Sequence, residues 1–257
     1  MRFSFKPTIV SKTIKFRLAF CFQVLLVATV TIIDSIRVIL LMATRGNPSV
    51  FYKHSRQWSK KLLKIIGIKV EIISGDPIPI DKSYIYVSNH ASLTDIPILL
   101  ASINDNIRIM YKKELEKIPI FGWGLRRSPF IPVVRQQARK AMASLEDALV
   151  SFKEGGSVLV FPEGTRSSDG TLGSFKRGAF FLAIQSGKPI VPVTVVGSSK
   201  ILPSGKYIFN KGKVKLIIGS PISINSNAPS KQEERQLMND VYNIIQKNLA
   251  NNNTDMI

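Results

Sequence analysis

The stretch "QQARKAMASLEDALVSFKEGGSVLVFP", residues 136–162, carries two periodicities back to back. In its first part Ala138, Met142, Leu145, Leu149 and Phe152 recur at helical spacing, as one apolar face of a helix does. Gly155 and Gly156 end that run, because glycine leaves a helix through a left-handed turn without steric cost. The continuation "SVLVFP", residues 157–162, is short, rich in Val and closed by proline, which reads as a strand. A helix that hands over to a strand across a glycine pair is the repeating unit of an α/β chain.

The alternation extends outward in both directions. Strands are expected at "KVEII" (69–73), "YIYVS" (84–88), "IRIMY" (107–111), "FIPVV" (130–134), "IVPVTVV" (190–196) and "KVKLIIG" (213–219), each bounded by turn formers. Strands alternating with helices imply a sheet covered by helices, with ligands held at the carboxyl ends of the strands. A last helical pattern, "SKQEERQLMNDVYNIIQKN" at 230–248, is expected to pack on this domain, with the Asn-rich end beyond it frayed.

Composition narrows the chemistry. The 257 residues suffice for one large α/β domain or two small ones, and no internal repeat argues for an array. A single cysteine, Cys21, excludes an internal disulfide and a cysteine-rich metal site. The two histidines, His54 and His90, lack the short spacing of zinc ligands, so no metal is expected and His54 is read as an interfacial or core residue.

The formal net charge is +19, and it is unevenly placed: residues 1–70 hold thirteen Lys and Arg against one acid, Asp34. Those cations bracket the apolar run "LAFCFQVLLVATVTIIDSIRVILLMA", residues 18–43, which favours anionic headgroups over nucleic acid as the partner. From Leu18 to Ile33 the run would span about 24 Å as a helix, short of a hydrocarbon core of about 30 Å. Asp34 and Arg37 follow, three residues apart and able to pair on one helix face. Both flanks are basic, which suits a segment entering and leaving one leaflet from the cytoplasmic side, with a tilted spanning helix as the alternative. A cleaved signal peptide fits poorly, because the run is long and no small-residue cleavage site follows it.

Two motifs sit where strands are expected to end. "NHASLTD", residues 89–95, follows the run ending in Ser88 and sets His90 five positions before Asp95. A histidine accepts a proton near neutral pH, and a nearby carboxylate holds its tautomer and stabilises the imidazolium. The alternative is a histidine satisfied in a strand-end loop. In "VLVFPEGTRSSDGTLGSFKRGAF", residues 158–180, a strand runs into Pro162 and a polar loop before a helical pattern beginning near Phe175. Gly164 lets backbone approach a ligand, Thr165 and Ser167 offer hydroxyls, and Arg166 can fork onto phosphate oxygens. The loop lacks the glycine spacing and Lys of a nucleotide-binding P-loop, so ATP is not implied. Its alternative is a plain ion pair between Glu163 and Arg166.

The chain resembles the glycerolipid acyltransferases, in particular the 1-acyl-sn-glycerol-3-phosphate (lysophosphatidic acid) acyltransferases. The resemblance covers roughly residues 69–220 and rests on four ordered blocks: "NHASLTD", "KKELEKIPIFGW" with "FIPVVR", "FPEGTRS" and "IVPV". It implies a mixed central sheet flanked by helices, the α/β fold of glycerol-phosphate acyltransferases, over residues 67–257. An N-terminal membrane-attachment segment, residues 1–66, would precede it on the cytoplasmic face of the inner membrane. It further implies His90 as general base and Asp95 as the group that orients it. Glu163, Gly164, Thr165 and Arg166 would form a glycerophosphate-binding loop, Arg135 a second phosphate contact, and Pro192 a border of the acyl pocket. The acceptor would be lysophosphatidic acid, the donor acyl-CoA or acyl carrier protein, with no cofactor. The second block departs from the family pattern: Pro129 stands where many relatives have glycine, and Val134 precedes Arg135 where they have Asp or Asn. A substrate contact from that acidic position is lost, which leaves other lysolipid acceptors (lyso-ornithine lipid, lysophospholipid, lysocardiolipin) open. A non-catalytic membrane-binding protein would have no use for His90, Asp95 and the polar loop together.

Overall fold

Seven short runs rich in β-branched residues become the seven strands of one sheet. In the computed structural model, which describes residues 9–44, 48–79, 81–134, 138–203, 209–224 and 231–252, they are β1 (Ile68–Ser74), β2 (Ile85–Ser88), β3 (Ile107–Lys112), β4 (Ile131–Val133), β5 (Ser157–Val160), β6 (Ile190–Val196) and β7 (Gly212–Ile218). The helices are α1 (Ile9–Thr44), α2 (Pro48–Ile66), α3 (Asp95–Ser102), α4 (Phe121–Arg127), α5 (Ala138–Lys153), α6 (Gly178–Ser186), α7 (Ser198–Ile201) and α8 (Lys231–Asn252). The strand order is β1-β7-β6-β2-β5-β3-β4. From β6 to β4 all neighbours are parallel, while β7 pairs antiparallel with β6 and parallel with β1. The sheet is therefore mixed, as the resemblance implied.

Helices cover both faces, and strand alternation distributes the side chains between two cores. Along the central strand, Tyr84 and Tyr86 point into a cluster with Ile98, Leu99 and Leu63 from α3 and α2. Ile85 and Val87 point the other way, onto Leu145, Phe180 and Val241 from α5, α6 and α8. The helix expected at 230–248 packs there through Leu237, Val241, Ile245 and Leu249; it runs on to Asn252, so the first Asn residues after 248 extend it rather than fray.

The apolar N-terminal run forms part of one helix, α1, whose stretch Leu18–Ala43 has a mean hydropathy of 2.3 and is long and apolar enough to cross a membrane. Its two sides differ. Leu18, Phe22, Leu25 and Leu40 are each at least 60 % exposed, on one side of the helix. Asp34 and Ser35 are buried on the other side, facing α2 and α4. The expected Asp34–Arg37 pair forms at 3.2 Å, and Lys61 from α2 adds a second cation at 2.9 Å. Trp58 Nε1 donates to Thr31 Oγ1 at 3.1 Å, so α2 fastens α1 at two levels. The outer face of α2 carries Lys53, Lys60 and Lys64, all exposed, while its inner face buries Phe51, Leu62 and Ile66.

Candidate active site

β2 and β5 are adjacent and parallel, so the loops after them lie side by side at one end of the sheet. That register brings the first and third motifs together. Asn89, directly after β2, does not face the site: its side-chain amide donates to Val195 O (2.9 Å) and accepts from Val195 N–H (2.8 Å). The amide imitates a backbone rung and holds the end of β2 against β6. The chain then turns, presenting His90.

The His90 ring sits 2.9 Å through Nδ1 from Asp95 Oδ2. The same oxygen accepts the N–H groups of Ala91 and Ser92, both at 2.8 Å, so the six-residue loop closes around its own carboxylate. A carboxylate only accepts, so Nδ1 carries the ring proton and Nε2 holds the lone pair. Phe161, at the end of β5, stacks on the imidazole with ring centroids 4.1 Å apart. Asp95 is fully buried and His90 nearly so. This geometry equips Nε2 to take a proton while Asp95 holds the tautomer and faces the imidazolium that forms.

The third motif grips the backbone of the first. Glu163 Oε1 accepts His90 N–H at 2.7 Å, Glu163 Oε2 accepts Gly173 N–H at 2.9 Å, and Ser167 N–H donates to His90 O at 2.8 Å. Both oxygens of Glu163 are thus engaged by amides, and the carboxylate faces inward. Burial pushes its pKa up, an effect opposed by the donors from His90 and Gly173. Glu163 therefore positions His90, and neither of its oxygens is bonded to Arg166. Thr165 and Arg166 are exposed on the outer side of the loop. Gly164, between Glu163 and Thr165, has φ +70°, a conformation that disfavours any side chain. Asp169 caps the loop, its carboxyl held down to about 2 by the Thr171 hydroxyl and N–H and the Ser167 hydroxyl.

One expected site residue, Pro192, stands apart. Pro192 is buried in the middle of β6, paired with Val87, and accepts Gly219 N–H at 2.9 Å. It does not line the apolar cavity. Its neighbours Val191 and Val193 point into the cluster shared with α3, so alternation turns the proline ring to the opposite face. A proline is tolerated there because its missing N–H falls between the Ile190–Ile222 bridge and the start of the β6–β7 ladder. Arg135 lies outside the described residues.

An apolar cavity of about 410 Å³ adjoins the His–Asp loop. Leu93 and Thr94, in the loop between His90 and Asp95, form one wall; Val27 and Thr31 of α1, Trp58 and Leu62 of α2, and Phe121 and Phe130 contribute to the others. The first and second blocks each contribute to this cavity, through Leu93 and Thr94 and through Phe121 and Phe130, but no motif marks the walls supplied by α1 and α2, which read as ordinary apolar and amphipathic helix. His54 lies on its lining, in keeping with the interfacial reading. Among the described residues no cluster of His, Cys, Asp and Glu could hold a metal ion.

Comparison with known proteins places this arrangement. A family model described as Acyltransferase matches residues 69–196, the span from β1 to β6. The chain is 33 % identical over 184 residues to the 1-acyl-sn-glycerol-3-phosphate acyltransferase of Bacillus subtilis, covering 70 % of this chain and 88 % of that one. It is 38 % identical over 201 residues to the chloroplastic 1-acyl-sn-glycerol-3-phosphate acyltransferase BAT2 of Brassica napus, covering 74 % and 58 %. The chain spans about half the length of the plant relatives it matches. The crystal structure of the 1-acyl-sn-glycerophosphate (LPA) acyltransferase of Thermotoga maritima superposes with a TM-score of 0.76 at 28 % identity, covering 92 % of this chain and 95 % of that one. The chain belongs to the acyltransferase family.

Proposed function

We propose that this chain moves a fatty acyl group from a thioester donor, acyl-CoA or acyl carrier protein, to the sn-2 hydroxyl of 1-acyl-glycerol 3-phosphate, giving phosphatidic acid. The observation that carries the reading is the His90–Asp95 pair, 2.9 Å apart, in a loop that also walls a 410 Å³ apolar cavity. A proton acceptor and a room for an alkyl chain are the two things acyl transfer to an alcohol needs. The names of the relatives support the acceptor.

His90 Nε2 removes the proton from the acceptor hydroxyl as its oxygen attacks the thioester carbonyl. The tetrahedral adduct then collapses, the C–S bond breaks, and the thiolate takes the proton back from Nε2–H. No acyl-enzyme is needed, and the sole cysteine, Cys21, lies exposed on α1. Arg166 holds the acceptor phosphate from outside the loop, with Arg135 as a further contact.

Residues 1–66 attach the protein to the cytoplasmic face of the cell membrane, and residues 67–257 form the catalytic domain. The two-sided character of α1 supports insertion into one leaflet: a face fastened to α2 and α4 is not available to lipid, while the opposite face is. A single-chain acceptor and a two-chain product then stay in the bilayer plane throughout.

The test uses the purified full chain in neutral detergent with lysophosphatidic acid and each donor in turn, against the other lysolipids. Phosphatidic acid is the expected product. His90→Ala is expected to lose at least ~10²-fold in turnover while keeping its melting temperature. Near-normal turnover in that variant overturns the mechanism, and a marked preference for another lysolipid overturns the acceptor.

A further inference from the structure

We propose that Lys176 is a second cation of the acceptor-phosphate site, acting with Arg166 across Gly164; this rests on the acceptor assigned above. Lys176 lies ten residues beyond Arg166, at the far end of the same loop. Its side chain folds back over Gly164: a Cβ at that glycine would come within 2.7 Å of Lys176 Nζ and 3.0 Å of Cε. The ammonium therefore rests on the loop backbone next to Glu163, the residue bonded to the His90 amide. Gly164 is needed twice, for its positive φ and for the space that the lysine takes.

Three further observations separate this lysine from an ordinary surface cation. Its own N–H is bonded to Pro162 O at 2.8 Å, so the stem begins from a point clamped to the base of the loop. Among the described residues no acid pairs with it or with Arg166, and the carboxylate of Glu163 is spent on two backbone amides. The next residue, Arg177, is turned away and bound by Glu234 at 2.6 and 2.9 Å. Of two consecutive cations, one is used to fasten α8 and the other is left over the loop without a counter-charge. Two unneutralised cations on one glycine loop match a dianionic phosphate monoester. In glycerol 3-phosphate lipids the 2-hydroxyl and the phosphate ester sit on adjacent carbons. A phosphate on this loop therefore presents that hydroxyl to the histidine whose backbone the loop holds.

The experiment compares wild type, Lys176→Met and Lys176→Arg in neutral detergent, by donor-free calorimetric binding of lysophosphatidic acid and by steady-state kinetics. Lys176→Met is expected to raise the acceptor Kd and KM about tenfold, to leave the donor KM within about twofold, and to keep the wild-type melting temperature. Lys176→Arg should recover most of the loss. With 1-acylglycerol, which has the hydroxyl and lacks the phosphate, wild type and Lys176→Met should react alike. An unchanged acceptor Kd overturns the inference. So does a rise confined to the donor KM, which would assign Lys176 to the donor's phosphates, or an equal loss with 1-acylglycerol, which would make it a packing residue. A wild type that binds lysophosphatidic acid without turning it over overturns the reaction proposed above and leaves the binding comparison to decide Lys176. A wild type that does not bind it overturns both.

Discussion

Glu163 and Arg166 stand three residues apart and have opposite charge, yet the structure gives Glu163 to two backbone amides and leaves Arg166 outside. Each assignment has a measurable consequence. Glu163 ionises near 4.5 when unfolded, and burial raises that value in the folded protein. Between the two values the folded state keeps a proton the unfolded state has released. The contribution of this group is therefore complete below about pH 4.5 and is lost as pH rises through the folded value. Glu163→Gln does not titrate, so the melting-temperature difference, wild type minus variant, should shrink as pH is raised from 4.5 toward neutrality. A difference independent of pH would remove the burial argument. For Arg166→Lys the charge stays and the forked geometry goes. The acceptor KM should rise by about ten- to a hundredfold with the donor KM little changed, read from paired steady-state titrations. The His90–Asp95 pair was legible in the sequence because it closes within five residues. The Glu163–His90 bond was not, because it joins positions 73 apart through an N–H that every residue but proline carries.

The segment from β3 to β4 shows how one glycine sustains a wall of the cavity. After the 3-10 turn at Lys113–Lys117 the chain reverses at Ile120, whose φ of 65° and ψ of −59° make a γ-turn closed by Phe121 N–H to Pro119 O at 2.7 Å. A β-branched residue in that region is strained, and α4 keeps it there by packing on α1. At Gly122 a Cβ would fall 2.3 Å from Glu116 O, a backbone atom that cannot swing aside. Gly122→Ala should therefore cost at least about 2 kcal/mol in urea unfolding, through overpacking. A variant within about 0.5 kcal/mol of wild type would show that the turn can relax. The strands were legible here and throughout, since β-branched runs between turn formers are a local signal. The γ-turn was not, because isoleucine is the last residue its backbone angles would call for.

Across the molecule the sheet, the cavity and α1 form one arrangement: α1 roofs the cavity with one face and exposes Leu18, Phe22, Leu25 and Leu40 on the other. Placing carboxylates on the outer stripe should weaken attachment without touching the packing. Leu25→Asp combined with Leu40→Asp is expected to reduce flotation with anionic vesicles at least tenfold while the melting temperature in neutral detergent holds. Undiminished flotation would mean that attachment resides elsewhere, with the basic outer face of α2 next to be tested.

The strand count, the alternation with helices, the His–Asp pair and the apolar basic-flanked segment all follow from short-range rules of side-chain alternation, turn chemistry and charge. Those rules act over a few residues and leave their mark in the order of the letters. Tertiary structure alone decided that Pro192 faces away from the cavity, that Lys61 joins Arg37 on Asp34, and that Lys176 rather than Arg177 lies over Gly164. Each of these depends on which surfaces meet after the sheet has assembled. A polar group takes whichever partner that packing brings within hydrogen-bond reach, and sequence separation does not enter the choice.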